Sequence, residues 1–499
     1  MKSLTVPSMS QMRVKITDFG GVNLKKSENI SPVTQARRAF NFSSHSGALT
    51  AGLGIKDIAD NLFNSPEKNT KLKSELGAHK NIKRTYFAKK YNLDLGARED
   101  KLMFVDVQGR LHCFPLSSAQ FDETAKNITT VGNLKFSAPP QAINYRLNST
   151  DVTIFTNAVD PMVVFGATQG VYKVIDAPHI TSMALHYERL FATVDGEKSA
   201  VWFSDDLDPT NWSVSLTEAG FIQMLDERGA LLKVLAFGDY VYVFRDFGIS
   251  RITAYADQQS FSVGHLFVSS GRIYPNTVMA CGDVVIFLAS DGLYRFDGIN
   301  CTKILTGLDK GFLGLDNTSA CVGFFENKFY LACKFRFDEM DEIPLENNAV
   351  IEVDINSFSA DILFGVCVFD INTVLSEEFS GVCVCVKLND NQTKVGVFDH
   401  SGSVFGEATK KEWTSPLTDL GYPAKRKMIR RVCVTTLTPC EVVLANEDGY
   451  EKRLKFKGSP RPQELVTRLF GARFSFKFLT SSARPEIVSP HVVISLDGR

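Results

Sequence analysis

The segment VWFSDDLDPTNW, residues 201–212, sets Asp205, Asp206 and Asp208 within four positions and holds two of the chain's three tryptophans. Carboxylates clustered in this way offer hard oxygen ligands to a cation such as Ca²⁺, or a general acid and base pair. The calcium reading lacks the glycine and the distant bidentate glutamate of a calcium loop, and Pro209 fixes a turn directly after the aspartates. The segment therefore reads as a turn between strands, its Asp and Asn side chains bonding nearby backbone N–H groups while Trp202 and Trp212 pack on neighbours. A glycosidase would need two carboxylates about 5 or 6.5–9.5 Å apart, and nothing singles out a pair among the 56 acidic residues.

Other chemistry is sparse. The eight histidines show no pair at metal-ligand spacing, and the ten cysteines contain no CxxC. Such cysteines read as small buried hydrophobes in a reducing compartment. Gly-rich phosphate loops, HExxH, GxSxG and EF-hand patterns do not occur, so no catalytic residue, cofactor or metal is assigned. Two basic clusters stand out: Lys425, Arg426, Lys427, Arg430 and Arg431, and Lys25, Lys26, Arg37 and Arg38. Each is a candidate contact for phosphate or an acidic partner, or simply a solvated strand face or subunit interface. With Lys plus Arg at 55 and a net charge of -1, any nucleic-acid contact must be local.

The elements that would position these residues are mostly strands. Helical periodicity is confined to residues 54–63 and 67–76, and from Thr85 onward short alternating runs rich in Val, Ile, Phe and Tyr are cut by Gly, Asp and Asn. Seven hairpin units align, opening at Asp100, Asp151, Glu188, Asp239, Asp283, Asn327 and Gly381, at intervals of 37 to 54 residues. That spacing brackets the roughly 40–50 residues of a four-stranded propeller blade, and stacking is what buries both faces of such a sheet. The expectation is an all-β chain: a β-propeller of about seven blades over residues 86–420, an irregular N-terminal arm over 1–85 and a C-terminal β-sandwich over 421–499. Stacked sandwiches are the alternative. The N-terminus lacks the apolar core of a secretory signal, and no run reaches the roughly 18 apolar residues of a membrane span, so synthesis and assembly in cytoplasm are expected.

Three stretches also resemble a known family: VWFSDDLDPTNW, GDYVYVFRDFGISRITAY and GRIYPNTVMACGDVVIFLASDGLYRFDG, together spanning residues 201–298. They are similar to segments of phage packaged-DNA stabilisation proteins, or tail accessory factors, of the head–tail connector. The two ends of the chain are not matched. The resemblance implies a virion protein of a β-rich, propeller-containing ring that closes the filled capsid, retains its DNA and joins it to the tail. It implies no catalysis, cofactor, membrane or small-molecule substrate; the partners it implies are further copies of the chain and portal or adaptor and tail proteins, with DNA as a further candidate contact. On this reading Phe19, Gly20, Gly21, Val22, Asn23 and Leu24 belong to an arm that adds to a neighbouring subunit, with closure of the chain's own propeller as the simpler role. The alternative function is a tail-associated propeller that binds or cleaves host surface carbohydrate.

Overall fold

Apolar–polar alternation between tight turns dictates antiparallel ladders. The structure, a computed structural model that describes residues 11–25, 34–44, 47–60, 62–93, 95–166, 172–215, 217–255, 258–389, 392–423 and 425–496, arranges these ladders as successive meanders. Each of the seven hairpin units falls in a different sheet and supplies its second and third strands. The first strands precede them: Ile82–Ala88, Gln141–Leu147, Ile180–His186, Leu231–Phe237, Met279–Cys281, Cys321–Phe325 and Cys367–Leu375. Two-residue turns join first to second strand in five sheets. Asn148 and Ser149, Tyr187 and Glu188, and Glu326 and Asn327 take positive φ at both central positions, whereas Gly238 and Gly282 do so at the first. These are the turns whose backbone twist matches that of the flanking strands.

Hydrophobic cores alternate with the sheets. Phe155 and Met103 share the core between the first and second, Trp212 and Val152 share that between the second and third, and Phe244 meets Phe287 between the fourth and fifth. One core joins the last sheet to the first, with Val374, Cys385 and Val397 against Leu102, Phe104 and Phe114. The array is therefore closed and propeller-like. A side-chain hydrogen bond repeats around it: Val234 N–H donates to Ser182 Oγ (3.2 Å), from fourth sheet to third, and Thr85 N–H donates to Asp370 Oδ2 (2.8 Å), from first to seventh. The seventh sheet thus stands to the first as the third stands to the fourth.

The fourth strand of the seventh sheet comes from ahead of the first sheet. Gly54–Asp57 pairs antiparallel with Gln392–Asp399, Ile55 lying opposite Phe398. This corrects the helix expected over residues 54–63, where only a 3₁₀ turn follows, at Ile58–Asp60. The apolar spacing of Ile55 and Ile58 serves burial within the ring's seam rather than one helix face. The helix expected over 67–76 is present as Pro66–Gly77. Ser65 caps it by accepting from Lys68 N–H, and Leu72 faces inward.

Beyond the ring, two sheets share one core. Gln11–Lys15, Ile487–Leu496, Lys427–Thr436 and Ser459–Gly471 form one; Arg38–Phe40, Lys411–Thr414, Phe474–Thr480, Cys440–Asn446 and Glu451–Phe456 form the other. The unit expected to begin at residue 421 therefore starts at 411 and takes strands from the first 40 residues, so the region expected as a separate arm over 1–85 is divided between ring and C-terminal unit.

Candidate functional site

The six residues expected to reach a neighbour lie within their own chain. Phe19 is 1% exposed, takes φ +51° and meets Trp413 and Phe478 edge-on at 5.1 and 5.2 Å. Gly20 accepts from the Trp413 indole (3.1 Å), and a Cβ there would lie 2.3 Å from the Thr34 carbonyl oxygen. Gly21 is exposed and its carbonyl accepts from Ala36 N–H. Asn23 bonds Gln35, Val22 packs on both the C-terminal core and the ring, and Leu24 is buried among residues of the fifth and sixth sheets. The arm reading is corrected accordingly: Phe19, Val22 and Leu24 bolt the C-terminal unit to the ring, because their apolar area finds partners in the same subunit.

The basic cluster does not form one face. Lys427 is fully buried, and its ammonium donates to the carbonyls of Tyr422, Lys425 and Ala472 at 3.2, 2.9 and 2.5 Å. Arg431 pairs with Glu464 (3.1 Å), Arg430 donates to Ser495 Oγ (2.9 Å), and Arg426 stacks over Phe470 at 4.7 Å. Lys425 is exposed. The pairing slips by one residue at Arg430, so two residues oppose one and the alternation of charge breaks there. In the second cluster Arg38 faces Asp341 (3.4 Å) and Lys25 is exposed, whereas Lys26 falls outside the described residues.

The aspartates do turn chemistry. Asp208 Oδ1 accepts from the amide and hydroxyl of Thr210 (2.9 and 2.6 Å), Asp205 Oδ1 accepts from the amides of Asp206 and Glu218, and Trp212 donates to the Pro209 carbonyl. Among the described residues no group of three or more His, Cys, Asp or Glu is placed to hold a metal ion.

Two features escaped the sequence reading. The first is the loop between Lys328–Cys333 and Ala349–Asp354, which carries RFDEMDEIPLE. Met340, Ile343 and Leu345 are 91, 64 and 92% exposed amid Asp338, Glu339, Glu342 and Glu346. The signal was available, since this stretch is the gap between the two strands aligned as the sixth unit, and its large apolar residues have no hydrogen-bonded ladder to join.

The second lies on the first strands. Four of them carry one extra, unpaired residue at the same place, namely Lys83, Thr181, Leu232 and Phe369, followed by Arg84, Ser182, Lys233 and Asp370. Arg84 Nε faces Asp370 Oδ1 at 3.4 Å. Burial raises the Asp370 carboxyl despite the opposing guanidinium and the Thr85 hydrogen bonds. No spacing in the sequence announced this set, because its members lie about 50 to 290 residues apart and meet only through ring closure.

No family model and no curated protein matches the chain. Among solved structures, BBS1N, crystallised in complex with ARL6DN and soaked with mercury, is similar with TM-score 0.40 and 8% identity over 63% of this chain and 92% of that one. Apo AztD from Citrobacter koseri gives TM-score 0.29 and 13% identity over 53% and 69%.

Proposed function

We propose that the chain is a seven-bladed β-propeller carrying a C-terminal β-sandwich, and that it is a structural subunit of a phage virion at the head–tail connector, acting by surface contact rather than catalysis. The observation that carries this reading is the acidic loop. Large apolar side chains left in water on a structured loop favour a protein contact, and five carboxylates around them, Asp341 included, favour a basic partner face. The resemblance over residues 201–298 supplies the setting, and the partners proposed are further copies of the chain and portal or tail proteins, in the virion. Replacing Met340 and Leu345 together by aspartate is expected to leave the isolated chain folded and to reduce its incorporation into particles at least about tenfold, the scale of losing a hot spot. Unchanged incorporation sinks the contact role of the loop.

A second reading, carbohydrate binding at a tail tip, draws on Tyr187 and Tyr255, whose exposed rings lie 5.8 Å apart and offer apolar faces with polar edges. A glycan array together with a reducing-sugar assay separates the two, because the connector reading expects silence in both.

A further inference from the structure

Three lysines lose hydration to the protein around them, Lys411 and Lys427 fully buried and Lys233 partly, and they differ in one further respect. Lys411 donates to the carbonyls of Gly402 and Thr409 and to the Thr409 hydroxyl, at 2.6, 3.2 and 3.3 Å, and Lys427 donates to three carbonyls. Each thereby regains acceptors for the hydration it loses. Lys233 has no hydrogen-bond or ion-pair partner among the described residues, and burial, followed by the Arg84 charge, pushes its ammonium down to about 8. The residue nevertheless keeps some solvent-reachable surface. The first strands of neighbouring sheets lie against one another and so line the axis of the ring, and a partly exposed side chain on one of them stands at the wall of that lumen.

The ring explains why. Lys233 occupies the position after the extra residue on the first strand of the fourth sheet, as Ser182, Asp370 and Arg84 do on theirs. Ser182 and Asp370 accept an amide hydrogen from the next sheet. A lysine has no acceptor for such a bond, so its side chain is left to the axis. Arg84, three sheets away and therefore across the lumen, is ion-paired with Asp370 through Nε and has further N–H donors in its guanidinium. The set sums to one net positive charge, in a place where water competes weakly.

From this geometry we infer that the axis of the ring holds a small oxyanion of the phosphate or sulfate type, seated between Lys233 and Arg84, with Asp370 fixing the guanidinium from the other side. The ion supplies the acceptors that Lys233 lacks. It ties sheets four and one together across the lumen, independently of any role in a virion.

The test uses the full chain. Thermal unfolding is followed in rising inorganic phosphate against chloride at equal ionic strength, for the wild type, K233M, K233R and the surface control K198M. Binding to the folded state raises the midpoint with phosphate concentration. The expected result is that K233M loses about tenfold or more in apparent phosphate affinity, the scale of one charge-assisted hydrogen bond, while K233R and K198M stay within about threefold. Crystals of the wild type grown with selenate are expected to show an anomalous peak between Lys233 and Arg84. Equal phosphate response in wild type and K233M, or no response together with no axial selenate peak, overturns the inference. Should K233M fail to fold, the selenate experiment and the phosphate response of the wild type and K233R decide it.

Discussion

The ring and the C-terminal unit use the same strands and opposite wiring. Sheets two to six of the ring are each a run of four strands consecutive in sequence, and the first is interrupted only by the small hairpin of Tyr91–Asn92 and Ala97–Arg98, whereas the C-terminal unit draws on residues 11–15, 38–40 and 411–496. Local wiring leaves a repeating mark that can be read along the chain, and each meander can form before the ring closes; non-local wiring must first close loops of roughly 370 and 480 residues. What joins the two is the short path from Phe19 to Leu24, which starts in one core and ends in the other.

The strongest way to break this contrast is Phe19→Ala. It removes a fully buried ring from the C-terminal core and should cost that unit about 3–5 kcal/mol. Trp413 lies in that unit, while Trp202 and Trp212 lie in the ring, so tryptophan fluorescence in W202F/W212F and W413F backgrounds separates the two unfolding transitions. The account expects the Trp413 transition to fall well below the other. Equal shifts would mean that the two units unfold as one.

Next in size is Gly396→Val, directed at the seam of the ring. A Cβ at this position would lie 2.4 Å from Ile55 Cγ2 and 2.8 Å from the Lys56 carbonyl oxygen, and forcing it in should cost about 1–3 kcal/mol. Here the expected loss appears in the Trp202 and Trp212 signal and spares Trp413.

The comparison also explains what could be read in advance. The seven hairpins were legible because turn residues such as Glu188, Asp239 and Asn327 punctuate them at a regular interval. The first strands were not, since Met279–Cys281 and Cys321–Phe325 are short and Gln141–Leu147 is mixed in polarity. The strand Gly54–Asp57 and the burial of Phe19 were illegible for another reason: their partners lie more than 300 residues away, and periodicity carries no record of such pairing. The turn at Asp205 to Trp212 was legible because its chemistry is local. Of the candidate sites, the basic run was visible and its dispersal was not, because the slip at Arg430 and the inward Lys427 depend on tertiary partners.

Smaller effects sharpen the picture. Replacing Asp205, Asp206 and Asp208 with Asn keeps most acceptor oxygens, so stability measured by denaturant should fall by no more than about 1 kcal/mol; a drop accompanied by loss of bound Ca²⁺ would restore the cation reading. Two histidines should move in opposite directions in an imidazole titration followed by NMR. The hydrogen bond to Glu352 raises His400 above 6.5, so its small contribution is complete below that pH and is lost as pH climbs through the higher folded value. Burial, then the neighbouring His112, lowers His79, so stability falls as pH drops below 6.5, where the unfolded chain takes up the proton first. Equal titration of both would remove the environments described for them.

The central claim is that this chain is a structural part of a virion, and the most direct measurement is its location in particles of a producing phage imaged by electron cryomicroscopy. The account predicts propeller-shaped density for several copies in a ring between capsid and tail, with the loop around Met340 and Leu345 at a protein contact. Particles that lack the chain, or that carry it only on distal fibres with the loop in solvent, would contradict it.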